Sequence, residues 1–336
     1  FDGDGATDVF VGGRVVPGRY PDTPRSVLYR NDGGRLVDVT DAVAPGLRHA
    51  GMITAAAWAD LDGDRRPELI LATDWGPVRV FGFGPSGAVE LTGRLGLADV
   101  TGWWCALAAV DVNADGRTDL VVGNHGLNTK YRADVGAPAV LYAGDFDGSD
   151  RTQLVEARRE GDRWVPWRGR SKLGYAFPTL TRRFPTFRAY ADADLAGLFG
   201  ETRLASARRL AANELASGVF VQQADGRFRF EPLPREAQLA PINAIVTGDF
   251  NRDGHADLFA VGNAFGPEPT TGRFDGGVGL VLAGKGDGRF EALRPDASGV
   301  VITGEARSAV AAGPDAVVVA RNEGALLRFE RQELRP

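Results

Sequence analysis

The residues best equipped for chemistry lie in Asp249-Phe250-Asn251-Arg252-Asp253-Gly254-His255-Ala256-Asp257. Oxygen-bearing side chains occupy positions 1, 3, 5 and 9 of this stretch, glycine occupies position 6, and an aliphatic run begins at Leu258. Calcium takes about six to eight hard oxygen ligands at roughly 2.3–2.6 Å. This spacing lets Asp249, Asn251, Asp253 and Asp257 turn inward around one ion, with the carbonyl of His255 adding a further oxygen. Gly254 permits the tight turn, because a residue without Cβ takes positive φ readily. A strand-like run follows at once and no bidentate Glu closes the loop at position 12, so the loop is not an EF-hand.

The pattern recurs. Asp111, Asn113, Asp115 and Asp119 match it fully, with Gly116 at position 6. Asp2, Asp4 and Asp8 match a copy whose first position would precede Phe1. Asp60, Asp62, Asp64 and Glu68 form a variant with Arg65 in the glycine position and Glu for the last Asp. Asp145 to Gln153 is a decayed copy, its glycine displaced and its ninth position uncharged. Ca²⁺ is expected in the first four loops; for the loop at Asp145 the question stays open. The competing reading is a set of solvated acidic turns, since Asx-turn chemistry alone favours Asp and Gly. The expected role of the metal is structural: crowded carboxylates repel until a cation binds, so binding free energy becomes folding free energy.

The elements that must hold such loops are short strands. Each loop joins an apolar run to an aliphatic strand, as in Ile53–Ala59 to Leu69–Thr73 and Ile242–Gly248 to Leu258–Val261. Hairpin signals such as Asn31-Asp32-Gly33-Gly34 and Lys285-Gly286-Asp287-Gly288 follow. Units of this size built only of strands predict an all-β fold, a β-propeller. Seven blades are expected, with six or eight open. The whole chain, 1–336, reads as one propeller domain. It opens inside a loop and is therefore expected to be a fragment of a longer protein. A partly helical insertion is expected at about 164–209 within one blade, with a helix near Ala189–Gly200. The strands Ser217–Gln223 and Arg227–Glu231 are assigned to that same fourth unit.

Composition is that of an ordinary globular chain, 43% hydrophobic and 25% charged, with 45 glycines. A net charge of −5 leaves no nucleic-acid footprint. The single Cys105 excludes an internal disulfide. No apolar run reaches the roughly 18–20 residues that span a membrane. No nucleophile elbow, zinc-type cluster or phosphate-binding loop is present.

Trp164, Trp167, Tyr175, Arg182 and Arg183, in the expected insertion, form a candidate ligand surface, since aromatic residues with Arg typify binding hot spots. The alternative is that they anchor a helical cap. Trp103 and Trp104 are expected in core packing or lining the central channel. His125 is expected on a loop.

These loops, with the strand that precedes each and the Leu/Val strand that follows, resemble the FG-GAP/VCBS repeat family, whose blades also build the integrin α head. Gly102-Trp103-Trp104, Gly123–Tyr131 and Arg188–Gly200 are similar to its bacterial, cartilage-acidic-protein-like branch. The resemblance implies calcium in the blade loops and a non-enzymatic role in adhesion or in binding a protein or glycan ligand. It also implies a location that is extracellular, on the cell surface or periplasmic. The alternative function is a carbohydrate-active enzyme, a polysaccharide lyase or glycoside hydrolase on a propeller scaffold.

Overall fold

The computed structural model describes residues 1–268, 271–313 and 315–331. It is a series of small antiparallel sheets. The first holds Val9–Val11, Val27–Asp32 and Arg35–Asp38. The second holds Met52–Ala59, Glu68–Pro77, Arg79–Gly84 and Gly87–Glu90, with Thr101–Trp103 paired to the far end of Glu68–Pro77. The third holds Ala106–Val110, Asp119–Gly123, Gly218–Gln222 and Phe228–Pro232. Ile242–Gly248, Asp257–Gly262, Leu280–Gly284 and Phe290–Leu293 make the fourth. Ala306–Ala311, Ala316–Arg321 and Leu327–Glu330 make the fifth.

Period-two alternation stacks these sheets face to face, because successive side chains of a strand point to opposite faces. Leu69 and Leu71 enter the core shared with the first sheet, while Ile70 and Ala72 enter the core shared with the third. Val121 faces the fourth sheet and Leu120 and Val122 face the second. Leu258 and Ala260 face the third sheet, whereas Phe259 and Val261 face the fifth. Leu69, Ile70, Leu71 and Ala72 are wholly buried. The large ones each contribute about 1.5–3 kcal/mol by leaving water. The strands Met52–Ala59, Ala106–Val110, Ile242–Gly248 and Ala306–Ala311 touch in that order, which is the inner-strand arrangement of a propeller.

A further sheet stands outside this series. Its strands run in the order Arg163–Pro166, Gln153–Glu160, Ala139–Gly144, Arg208–Ala212. It interrupts the third sheet between Asp119–Gly123 and Gly218–Gln222, which pair directly (Leu120 opposite Phe220). The expected membership of Ser217–Gln223 and Arg227–Glu231 is therefore corrected. They complete the third sheet, since Phe220 and Phe228 fill its core with the second. The segment that breaks the repeat is correspondingly longer than 164–209. Trp164 and Arg209 are themselves strand residues of the inserted sheet.

Five short helices cover the inserted sheet: Arg170–Ala176, Pro178–Arg183, Phe187–Ala191, Leu195–Phe199 and Glu201–Ser206. The single helix expected near Ala189–Gly200 is two. Asp194 caps the second of them, its carboxylate accepting from the Gly197 N–H at 2.8 Å, and such a cap starts a new helix. Leu173, Phe177, Leu180, Leu195, Leu198 and Phe199 bury the helices against Val140, Val155 and Ala157.

Candidate metal-binding loops

The loops at Asp60, Asp111 and Asp249 each cross from the innermost strand of their sheet to the next, and all five loops share one backbone conformation. Position 4 has positive φ throughout: Gly3 (80°), Gly63 (80°), Ala114 (57°), Gly148 (83°) and Arg252 (62°). Position 6 has it too: Gly5 (84°), Arg65 (68°), Gly116 (83°), Asp150 (57°) and Gly254 (85°). The loop at Asp145, decayed in sequence, thus keeps the fold of the others. Position 4 escaped the sequence reading because Ala114 and Arg252 stand where the backbone favours glycine.

An L-residue pays roughly 1–2 kcal/mol in the left-handed region, and glycine's extra freedom in the unfolded chain offsets part of the gain from removing it. Arg65→Gly is accordingly expected to stabilise the protein by about 0.5–1 kcal/mol. The check is a higher urea midpoint at unchanged slope. A lower midpoint would mean that the Arg65 side chain contributes more than its backbone costs.

The first carboxylate of each loop gathers backbone donors. Asp111 Oδ2 accepts from Gly116 N–H at 2.8 Å, and Asp249 Oδ2 from Gly254 N–H at 3.1 Å. Asp60 accepts from Gly63 and Arg65, and Asp145 from Gly148 and Asp150. Positions 3 and 5 are exposed or nearly so. Asp4 N–H bonds to Asp2 and Asp64 N–H to Asp62. Asn113 and Asn251 each donate from Nδ2 to the Asp at position 5, Asp115 and Asp253, at 2.9 Å. Arg117 also pairs with Asp115.

Position 9 does something different. Asp257 is buried, and its carboxylate takes N–H groups from Phe250 (2.8 Å), Asn251 (3.2 Å) and Gly284 (2.8 Å). Asp119 is equally buried and takes those of Val112 (3.0 Å) and Gln222 (2.8 Å). Asp8 takes those of Phe1 and Asn31, Glu68 that of Leu61, and Gln153 supplies an amide oxygen to Phe146. The ninth side chain therefore braces its own loop, and in the first, third and fourth sheets it also ties the loop to the next strand outward.

Burial pushes the Glu68, Asp119 and Asp257 carboxyls above their ordinary range, against the pull of those N–H donors. Among the described residues none of the three forms a salt bridge, and only Asp257 feels a cation at longer range, Lys285. The His255 N–H and, after it, the Asn251 side-chain amide pull Asp253 the other way. Buried acids without a salt bridge, facing further carboxylates, fit a hard divalent cation. Asp60, Asp62 and Glu68 fit best. One oxygen from each lies within 4.8 Å of the others, a convergence of three acids that no other described loop reaches. The most irregular of the four expected sites thus has the tightest acidic cluster, because Asn113 and Asn251 place an amide where Asp62 has a carboxylate.

The FG-GAP-like repeat family matches residues 1–71 and 60–122, and the FG-GAP repeat matches residues 104–141. Residues 1–141 carry FG-GAP repeats. Their matched span holds the loops at Asp2, Asp60 and Asp111, and the fourth sheet repeats the same loop beyond it at Asp249. No curated protein matches the sequence. Among solved structures, the crystal structure of BBS1N in complex with ARL6DN, soaked with mercury, is similar over 84% of this chain and 93% of that one. Identity there is 10% and the TM-score 0.22.

Each of the five residues expected to form a ligand surface has surroundings of its own. Trp164 is half-buried beneath Arg209, with the guanidinium 5.4 Å from the ring. Trp167 lies under Arg158 and edge-on to Tyr131. Arg183 donates to the Leu198 and Gly197 carbonyls, both at 3.0 Å, fastening one short helix to another. Tyr175 is 85% exposed, and Arg182 is exposed. The anchoring alternative describes Trp164, Trp167 and Arg183. Trp104 is wholly buried, as core packing requires, and donates to the Gly76 carbonyl at 2.9 Å.

Trp103 instead joins Trp75, His125, Tyr131 and Trp167 where the inserted sheet meets the series, with ring centroids 4.9–5.1 Å apart along the chain of contacts. Burial pushes His125 down to about 4, so it is neutral at pH 7. Sequence alone could not assemble this group, since its members come from four separate segments.

Proposed function

We propose that this chain is a non-enzymatic, calcium-stabilised propeller that binds a protein or glycan partner outside the cytoplasm. The observation that carries the reading is the shared loop: five copies with left-handed residues at positions 4 and 6 and carboxylates above, three of them with a buried carboxylate brace below. Asp60, Asp62, Asp64 and Glu68 would hold one ion. Asp111, Asn113, Asp115 and Asp119 would hold a second, Asp249, Asn251, Asp253 and Asp257 a third, and Asp2, Asp4 and Asp8 would contribute to a fourth. Calcium supplies charge neutralisation to each loop. Its tolerance of irregular coordination suits the mixture of Asp, Asn and Glu, whereas Mg²⁺ demands near-octahedral geometry. No described helix is long and apolar enough to cross a membrane.

Calorimetric titration of chelator-treated protein tests this. Saturable uptake of at least three calcium ions is expected, falling by one in the double variant Asp60→Asn, Asp62→Asn, with magnesium failing to compete at equal concentration. Absence of saturable uptake would sink the calcium reading.

A further inference from the structure

The strand Glu68–Pro77 shifts register against Thr101–Trp103 between Asp74 and Gly76. Trp75 occupies that bulge at φ +59°. Bulges of this kind usually place glycine in the left-handed region, and they re-aim side chains beside functional sites. A bulky residue there is an outlier that its surroundings must hold in place. Here they do: Trp75 Nε1 donates to Tyr20 Oη at 2.6 Å, and the indole packs edge-on against Trp103.

The bulge turns Asp74 and Trp75 toward a cleft of about 380 Å³ between the second sheet and the strand Arg208–Ala212 of the inserted sheet. That volume lies in the lower range of small-molecule sites, about 300–1,000 Å³. The Asp74 side chain is 12% exposed and pairs with Arg14 at 3.1 Å. Tyr20 also hydrogen-bonds to it. The Trp75 backbone N–H donates to it as well, so of a carboxylate's roughly four lone-pair positions about one remains for a ligand.

The charges of the cleft wall are already engaged. Arg79 grips Glu90 through two bonds of 2.8 and 2.6 Å, and Arg208 donates to the Pro21 carbonyl and the Thr23 hydroxyl. Asp74, Glu90, Arg79 and Arg208 sum to zero charge. An ionic ligand would lose its hydration and find no free counter-charge. A neutral ligand that donates to Asp74 and lays an apolar face on Trp75 meets no such cost.

We propose that this cleft binds one neutral, hydroxyl-rich sugar unit of a glycan, with Asp74 accepting from one of its hydroxyls and Trp75 covering its C–H face. The proposal rests on the reading of the chain as a ligand-binding propeller and locates the glycan.

The test uses calcium-loaded protein and methyl glycosides of glucose, galactose, mannose and N-acetylglucosamine. Glucuronate and glucosamine serve as charged counterparts, and binding is read by saturation-transfer NMR and tryptophan fluorescence. At least one neutral glycoside is expected to bind, tenfold or more tightly than the charged sugars. Asp74→Asn should weaken that binding at least tenfold.

Gly93 lines the cleft, and a Cβ there would have no heavy atom within 4 Å. Gly93→Phe should therefore abolish binding while leaving the melting temperature in place, which separates blocking from misfolding. Failure of every neutral glycoside to bind, tighter binding of a charged sugar, or binding that survives both substitutions overturns the proposal. If calcium uptake is normal in that case, the cleft alone is refuted. Loss of calcium uptake refutes the reading beneath it.

Discussion

Stripping calcium is expected to lower the melting temperature on the order of 15 °C. A site at a free-ion concentration 100 times its Kd adds about 2.7 kcal/mol, so three sites add roughly 8 kcal/mol. In a domain of this size each kcal/mol is worth roughly 2 °C. The origin of the effect is local. Asp60, Asp62 and Glu68 hold three carboxylate oxygens within 4.8 Å of one another, and their mutual repulsion goes uncompensated once the ion leaves. Differential scanning calorimetry with and without EGTA makes the comparison, and re-addition of calcium should restore the original transition. Superimposable melting curves would remove the structural role of the metal.

The second large effect separates the bracing that the ninth position adds from metal binding itself. Asp257→Ala strands the N–H groups of Phe250, Asn251 and Gly284. An unsatisfied buried donor costs about 1–3 kcal/mol. A loss on the order of 5 kcal/mol is therefore expected, most of it persisting in EGTA. Asp253→Ala touches an exposed carboxylate whose backbone partner, His255 N–H, water can satisfy. Its cost should appear chiefly with calcium present and largely vanish in chelator. Asp147→Ala, in the loop closed by neutral Gln153, should cost less than Asp253→Ala in calcium. Urea unfolding of the three variants in both buffers decides the matter. Equal losses for Asp257→Ala and Asp253→Ala in both would show that the ninth position has no separate role.

The parts of this architecture written in residue type were open to reading. Oxygen side chains at positions 1, 3, 5 and 9 mark the loops, and alternating Leu, Val and Ala mark the strands beside them. What was hidden is written in backbone conformation or in distant pairing. Ala114 and Arg252 carry no sign that their φ must be positive. Asp150 looks like a displaced residue, yet it supplies the left-handed turn of position 6. Strand signals are local, so Gly218–Gln222 and Asp119–Gly123 were each visible as strands while their pairing was not. Arginines among aromatics suit both a binding face and a helix fastening. Only the carbonyls of Leu198 and Gly197 reveal that Arg183 is the latter.

The interrupted third sheet also bears on how the protein is made. Gly218 pairs with Val122, and Asn124 N–H reaches Ser217 Oγ at 2.9 Å across 93 positions of chain. On the ribosome, Ala106–Val110 and Asp119–Gly123 must wait as an unfinished hairpin while the excursion is synthesised. The core that Leu120 and Val122 share with the second sheet lacks Phe220 until then. Closing so long a loop adds little to the thermodynamic cost, because that cost rises only with the logarithm of length. Its burden falls on rate, since distant pairings are slow to form. An excursion that enters and leaves on neighbouring strands can fold as a unit of its own, shortening the wait. It can also be exchanged for a tight turn without moving either strand, which makes this junction a natural place for such chains to gain or lose a module.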